Sequence, residues 1–286
     1  MKNIIWLASY PKSGNTWFRL FLHALENKEA ELNINAPKSH TIASSRHWFE
    51  SAVGYDSADL TEKEIEQLRP RVYEHAARQY DKTQFHKIHD AYTYTDSGEP
   101  IISNKATFGA IYILRNPLDV CVSLAYHSGH GNVEKTLRQM MDKEHCFAAY
   151  SHRQASQLPQ RLLDWSGHVL SWTQTPDIPC CVIRYEDMHA FPVDTFGKAL
   201  HFAGIDAGEQ DVRDALNKTS FSKLAAQEQA NGFNEKPGRA ERFFRRGIVG
   251  GWREALSDDQ VNRFIEKNQA VMRQFGYLDD SNQIID

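Results

Sequence analysis

Asn3-Ile-Ile-Trp-Leu-Ala-Ser-Tyr-Pro-Lys-Ser-Gly-Asn-Thr-Trp17 is the stretch on which the fold turns. Its opening run, Asn3 to Ser9, is short and apolar and meets Pro11, Gly14 and Asn15, so it reads as a buried strand running into a loop. From Thr16 the apolar spacing becomes helical: Trp17, Phe21 and Leu25 share one stripe, with Phe18 and Leu22 beside it. A strand, a loop of small residues and a helix start bring backbone N–H groups and their partial positive charge to one point, where a phosphate settles; Lys12 adds a full charge. The order of residues is not that of the usual nucleotide-triphosphatase loop, whose lysine follows the second glycine. Here Lys12 precedes Gly14, and a magnesium-binding hydroxyl lacks its usual setting. Taken alone, the stretch also fits a plain Gly-Asn turn between a strand and a helix.

The same grammar returns further along. Ala110-Ile-Tyr-Ile-Leu114 reads as a second buried strand, followed by Arg115 and then by Asn116 and Pro117, a cap and a first helical residue. Cys180-Cys-Val-Ile183 reads as a third, leading into Arg184-Tyr-Glu-Asp187 and a helical segment near 191–203; a last helix is expected at about 257–275. Strands alternating with helices predict an α/β protein of three layers around a central, mostly parallel sheet, with ligands at the carboxyl ends of the strands. At 286 residues with no convincing linker, a single domain over 1–286 is expected. Polar stretches at 27–59 and 128–160, without clear strand signals, are candidate lids or acceptor-pocket segments, and 230–246 reads as a long flexible segment.

Composition narrows the function classes. Thirty-three Lys and Arg against 37 Asp and Glu give a net charge of −4, so no global positive field recruits nucleic acid or an anionic membrane, and any anion site is local. None of the four cysteines stands in a Cys-x-x-Cys pattern; free thiols and a reduced, cytoplasmic setting follow. The apolar run ending at Ser9 is too brief for a signal peptide or a bilayer span. No compact His/Cys/Asp cluster suggests a metal.

Two further stretches carry anion chemistry. In Leu114-Arg-Asn-Pro-Leu-Asp-Val-Cys-Val-Ser-Leu-Ala-Tyr-His127, Arg115 precedes the capped helix, while Asp119, Ser123 and His127 recur on one helical face. A guanidinium fork beside a helical hydroxyl makes a second anion clamp; a solvated polar stripe is the bland alternative. In Phe243-Phe-Arg-Arg-Gly-Ile-Val-Gly-Gly-Trp-Arg253, paired arginines meet glycines that permit close backbone approach, although in isolation this is a basic turn.

Together these residues resemble the cytosolic-type sulfotransferases that use 3′-phosphoadenosine 5′-phosphosulfate (PAPS). Tyr10-Pro-Lys-Ser-Gly-Asn-Thr-Trp17 is similar to that family's 5′-phosphosulfate loop. Arg115-Asn-Pro through Ser123 is similar to its 3′-phosphate motif, and Arg245-Arg-Gly-Ile-Val-Gly-Gly-Trp252 to its C-terminal Arg-Lys-Gly-x-x-Gly-Asp-Trp segment. Tyr185-Glu-Asp187 and Thr219-Ser-Phe221 match weaker signatures in the right order. The specificity lies in the ordered set, which runs from the first strand to Arg253. Asn15 in place of Thr looks more like bacterial members; Gly251 replaces the usual Asp and Arg246 the usual Lys. The dimer-contact pattern of animal relatives is not evident after Trp252, which leaves the oligomeric state open.

The resemblance implies a P-loop NTPase-like fold and a division of labour. Lys12 would meet the bridging oxygen of the departing phosphate, and Ser13, Gly14, Asn15 and Thr16 the 5′-phosphate. Arg115, Ser123, Arg245, Arg246 and Gly247 would hold the 3′-phosphate; Trp17, Tyr185 and Phe221 would hold adenine, with Thr219 as a polar partner. The product would be adenosine 3′,5′-bisphosphate, and no metal is required. Phe85-His-Lys-Ile-His89 resembles the family's Lys-Thr-His strand end, and strand alternation puts Lys87 and His89 on one face with His86 on the other. His89 is thus the expected general base, Lys87 a second cation at the sulfuryl group, and His127 and His130 the rivals among thirteen histidines. The expected reaction is in-line sulfuryl transfer to a hydroxyl, or an amine, of a small-molecule acceptor, with Trp48, Phe49, Tyr92 and Tyr94 as aromatic surface for it. A kinase using ATP and magnesium would leave Arg115, Ser123 and Arg245 without work. A non-catalytic adenosine bisphosphate-binding module would need no base.

Overall fold

Every side chain of Ile4–Ala8 is shielded from solvent in the computed structural model, which describes residues 2–36, 41–149 and 155–285. The elements run β1 (Ile4–Ala8), α1 (Asn15–Glu26), α2 (Arg46–Val53), α3 (Glu62–Gln79), β2 (Gln84–Ile88), β3 (Thr107–Leu114), α4 (Pro117–His127) and α5 (Val133–Met140). After them come β4 (Cys146–Phe147), β5 (Gln160–Arg161), α6 (Trp165–Thr173), β6 (Cys180–Arg184), α7 (Tyr185–Ala190), α8 (Pro192–Phe202), α9 (Glu209–Lys218), α10 (Phe221–Asn231) and α11 (Asp258–Gln274). The main sheet has the order β2-β1-β3-β6, with β1 parallel to both β2 and β3. A strand with parallel neighbours on both edges is covered on both faces, which is why β1 is apolar throughout rather than alternating. The central parallel sheet and α/β class read from the strand–helix alternation are the ones found.

The chain gathers into two compact units. The first takes the described residues within 1–10, 39–112 and 142–182, hence β1, β2 and most of β3. Trp6 anchors its core, its indole Nε1 donating to Thr107 Oγ1 at 2.9 Å and its ring meeting Tyr73 edge-on at 4.9 Å. Arg69 grips Asp90 through a buried two-pronged pair at 2.7 and 2.9 Å. β3 begins at Thr107, earlier than the apolar run from Ala110 indicates. Ile4 pairs with Thr107 and Ile5 with Gly109, so Phe108 is the extra residue of a bulge, and a bulge at a glycine breaks the periodicity that reveals a strand.

The second unit takes the described residues within 11–38, 113–141 and 183–286. Here the aromatic stripe of α1 packs on α8: Phe18 stacks on Phe196 at 5.3 Å and Phe21 lies 4.4 Å from the same ring. Asn116 caps α4, its Oδ1 accepting from Leu118 N at 3.0 Å, and Ser257 opens α11 in a capping box with Gln260. The stretches 27–59 and 128–160 are more ordered than their polarity suggests, since they contain α2, α5, β4 and the first residue of β5. Residues 37–40 and 150–154 of these stretches lie outside the described residues. No helix among the described residues is long and apolar enough to cross a membrane.

Candidate active site

The loop from Pro11 to Gly14 belongs to the second unit and is wound by two left-handed residues, Lys12 at φ 69° and Gly14 at φ 108°. For a lysine this conformation is strained, and such strain concentrates at functional turns. Left-handed residues on either side of Ser13 turn neighbouring N–H groups to one side, ahead of the N-terminus of α1. Gly14 is required twice over: by its φ, and because a Cβ there would lie 2.7 Å from Tyr185 Cδ2.

Arg115 ties the loop to the C-terminal segment. Its Nη1 donates to Lys12 O and its Nη2 to Ile248 O, both at 3.0 Å, while the guanidinium lies 4.2 Å above the Tyr185 ring. Its Nε is buried without a hydrogen-bond partner. Arg245 lies 4.0 Å over the Tyr126 ring; burial and the nearby Arg246 and Arg115 charges push its pKa down, against the pull of Tyr126. No carboxylate among the described residues pairs with Arg115 or Arg245. Arginines without a paired carboxylate suit an anionic ligand. Arg246 differs: it is paired with Glu254 at 2.7 Å.

Lys12 Nζ lies 3.8 Å from the Phe243 ring centroid and 3.3 Å from His127 Nδ1. An ammonium only donates, so His127 receives this bond and is engaged with Lys12. Ser123 is half-buried on the same helix. Trp17 packs against Tyr185 and His189, with its indole Nε1 buried and unpartnered. Gly247, at φ 60°, sits so close to the ring of Phe221 that a Cβ would come within 2.2 Å of it. Thr219 is fully buried and its hydroxyl donates to Ala215 O at 2.8 Å, closing α9 rather than facing outward. His130 is a surface residue that accepts from Asn132 N at 2.9 Å.

Two carboxylates that spacing did not single out for this task shape the basic segment, which has no helix or strand of its own before Gly251. Glu228 on α10 accepts from Phe243 N at 2.6 Å and Phe244 N at 2.8 Å. Asp119 on α4 accepts from Gly250 N at 2.8 Å and Trp252 N at 2.9 Å. The position of Asp119 on the face of Ser123 hinted at it; nothing local marks Glu228. Asp119→Ala strips both acceptors and is expected to lower stability by about 1 to 3 kcal/mol, seen as a fall in Tm. An unchanged Tm would mean that these bonds do not hold the segment.

His89 belongs to the first unit, at the end of β2. Its Nδ1 lies 2.9 Å from Ser9 O and 3.4 Å from Ser9 Oγ. A carbonyl only accepts, so Nδ1 carries the proton and Nε2 is the basic nitrogen of the ring. Lys87 is half-buried two residues earlier, its backbone bridged to Ile42. His86 stacks on Trp48 at 4.7 Å and is held neutral, burial pushing its pKa down to about 4. Of the other aromatics, Phe49 is core, while the hydroxyls of Tyr92 and Tyr94 both donate to Asp177 Oδ2, at 3.1 and 3.0 Å.

A parallel α/β sheet, a wound loop at a helix N-terminus and arginines without a paired carboxylate make an α/β protein with a place suited to a phosphorylated ligand. The sulfotransferase domain profile matches residues 2–276, and the chain belongs to that family and is a sulfotransferase. A luciferin sulfotransferase of Photinus pyralis is 24% identical over 278 residues, covering 91% of this chain and 69% of its own. A flavonol 3-sulfotransferase of Flaveria bidentis is 24% identical over 275 residues, 91% of this chain and 79% of its own. A mouse sulfotransferase solved in complex with PAP superposes with a TM-score of 0.57 at 22% identity, over 96% of this chain and 86% of that one, a likeness of fold.

Proposed function

We propose that this sulfotransferase takes its sulfuryl group from PAPS and passes it in line to a hydroxyl, or an amine, of a small-molecule acceptor. The observation that carries the choice of donor is the pairing of Arg115, with its buried unpartnered Nε, and Arg245, neither facing a carboxylate among the described residues. A 3′-phosphate is the group that would answer both, and ATP has none. The residues present fit such a ligand: Ser13, Gly14, Asn15 and Thr16 would take the 5′-phosphate, while Arg115, Ser123, Arg245 and the backbone at Gly247 would take the 3′-phosphate. Arg246 reaches it only by leaving Glu254. Trp17, Tyr185 and Phe221 would frame adenine, with Thr219 behind them as a buried support. When bound, PAPS supplies an electrophilic sulfur with a phosphate leaving group.

Lys12 neutralises charge on the leaving side, exchanging His127 and Phe243 for the ligand. His89 takes the acceptor proton on Nε2, and Lys87 adds positive charge on that side. The names of relatives, a luciferin and a flavonol enzyme, support a small hydroxylated acceptor. Four cysteines with no disulfide among them support a cytoplasmic setting.

Thermal melting tests the donor assignment. Adenosine 3′,5′-bisphosphate at a hundred times its Kd is expected to stabilise the protein by about 2.7 kcal/mol without magnesium, a rise of several degrees in Tm. ATP with magnesium at equal concentration is expected to do much less. Equal shifts would remove the 3′-phosphate role from Arg115 and Arg245.

A further inference from the structure

Helix α6 presents His168 and Trp172 one turn apart, and both donate to consecutive carbonyls at the exit of β2. His168 Nε2 reaches His89 O at 3.0 Å, and Trp172 Nε1 reaches Asp90 O at 2.9 Å. His168 is fully buried, and its other ring nitrogen, Nδ1, lies 2.7 Å from Tyr112 Oη.

The direction of every bond is fixed by chemistry. A backbone carbonyl only accepts, so His168 Nε2 carries the proton shared with His89 O. Burial, the largest influence on the ring, pushes its pKa down to about 4 and keeps it neutral, so Nδ1 holds the lone pair and accepts from the Tyr112 hydroxyl. His89 completes the chain by donating from Nδ1 to Ser9 O at 2.9 Å.

The bonds form a chain: Tyr112 to His168, His168 to the backbone of His89, and the ring of His89 to Ser9 O. All of these residues lie in the first unit. Ser9, at the end of the chain of bonds, stands just before the phosphate loop. Each member polarises the next.

We propose that His168, supported by the Tyr112 hydroxyl, is a positioning residue that fixes the backbone of His89, and so keeps Nε2 in place for the acceptor proton. This rests on the reading of His89 as the base. A core histidine with a purely structural role predicts the same hydrogen bonds but a different response of the reaction.

The test is steady-state kinetics with a working acceptor, together with calorimetric binding of adenosine 3′,5′-bisphosphate. His168→Leu is expected to lower kcat about 10- to 100-fold, the scale of a misplaced reacting group, with acceptor KM and bisphosphate affinity little changed. His168→Gln, whose amide N–H reaches the place of Nε2, is expected to recover much of that loss. In a His89→Ala background, His168→Leu is expected to cost nothing further, because the group it positions is gone. If His168→Leu fails to fold, Tyr112→Phe keeps the ring, removes only the hydroxyl, and carries the same kcat and double-variant comparisons. Unchanged kcat in the variant used, or a full further loss in the His89→Ala background, overturns the positioning role alone. Full transfer by His89→Ala overturns the base reading, and this role with it.

Discussion

His89→Ala is expected to lower the rate of sulfuryl transfer by about 10²- to 10⁴-fold, the range for a positioned general base. The imidazole is held by Nδ1 on Ser9 O, so Nε2 is the ring nitrogen with the basic lone pair. Donor affinity is expected to hold steady, because His89 is assigned to the acceptor side of the sulfur and the phosphates are assigned to Lys12, Arg115 and the loop backbone. Lys12→Ala gives the contrast: it removes a charge that meets the ligand in the ground state and gains importance as the leaving oxygen becomes charged. Turnover and donor binding should therefore fall together. The comparison uses single-turnover rates with an acceptor and calorimetry with adenosine 3′,5′-bisphosphate. Full transfer by His89→Ala would move the base elsewhere. His127 is then the weaker successor, since its Nδ1 already receives the Lys12 ammonium.

Arg115→Ala is expected to weaken binding of adenosine 3′,5′-bisphosphate by about 2 to 4 kcal/mol, the scale for removing one partner of a hydrogen-bonded charge pair. The side chain has two tasks. It offers cationic N–H groups to a phosphate, and it holds Lys12 O and Ile248 O, so that the loop and the basic segment both lose a fixed point. The rest of each element has its own supports: Asn116 still caps α4, and Asp119 and Glu228 still hold the segment, so the fold should survive. Arg115→Lys keeps the charge but cannot reach both carbonyls as a fork does, and it is expected to recover only part of the affinity. Unchanged affinity in Arg115→Ala would take this residue out of the ligand site.

What the sequence by itself determined is local. The strand over Ile4–Ala8, the loop, the helix with its aromatic stripe, and the Asn116-Pro117 start of α4 are all legible because periodicity, capping and proline geometry act over a few residues. The parallel class follows from repeating that unit. The candidate lid or acceptor-pocket segments carry α2 and α5, and a bulge at Gly109 hides the start of β3 from periodicity.

Only the tertiary structure decided which partner each functional side chain keeps. Asp119 and Gly250 are 131 positions apart, Lys12 and His127 are 115 apart, and His168 and His89 O are 79 apart. Spacing along the chain carries no trace of such pairs. It likewise could not show that Arg246 is paired with Glu254 while Arg115 and Arg245 face no carboxylate among the described residues, or that Thr219 turns its hydroxyl into its own helix. Hydrogen bonds and charges choose partners by distance and direction in space, and those exist only once the strands and helices have packed.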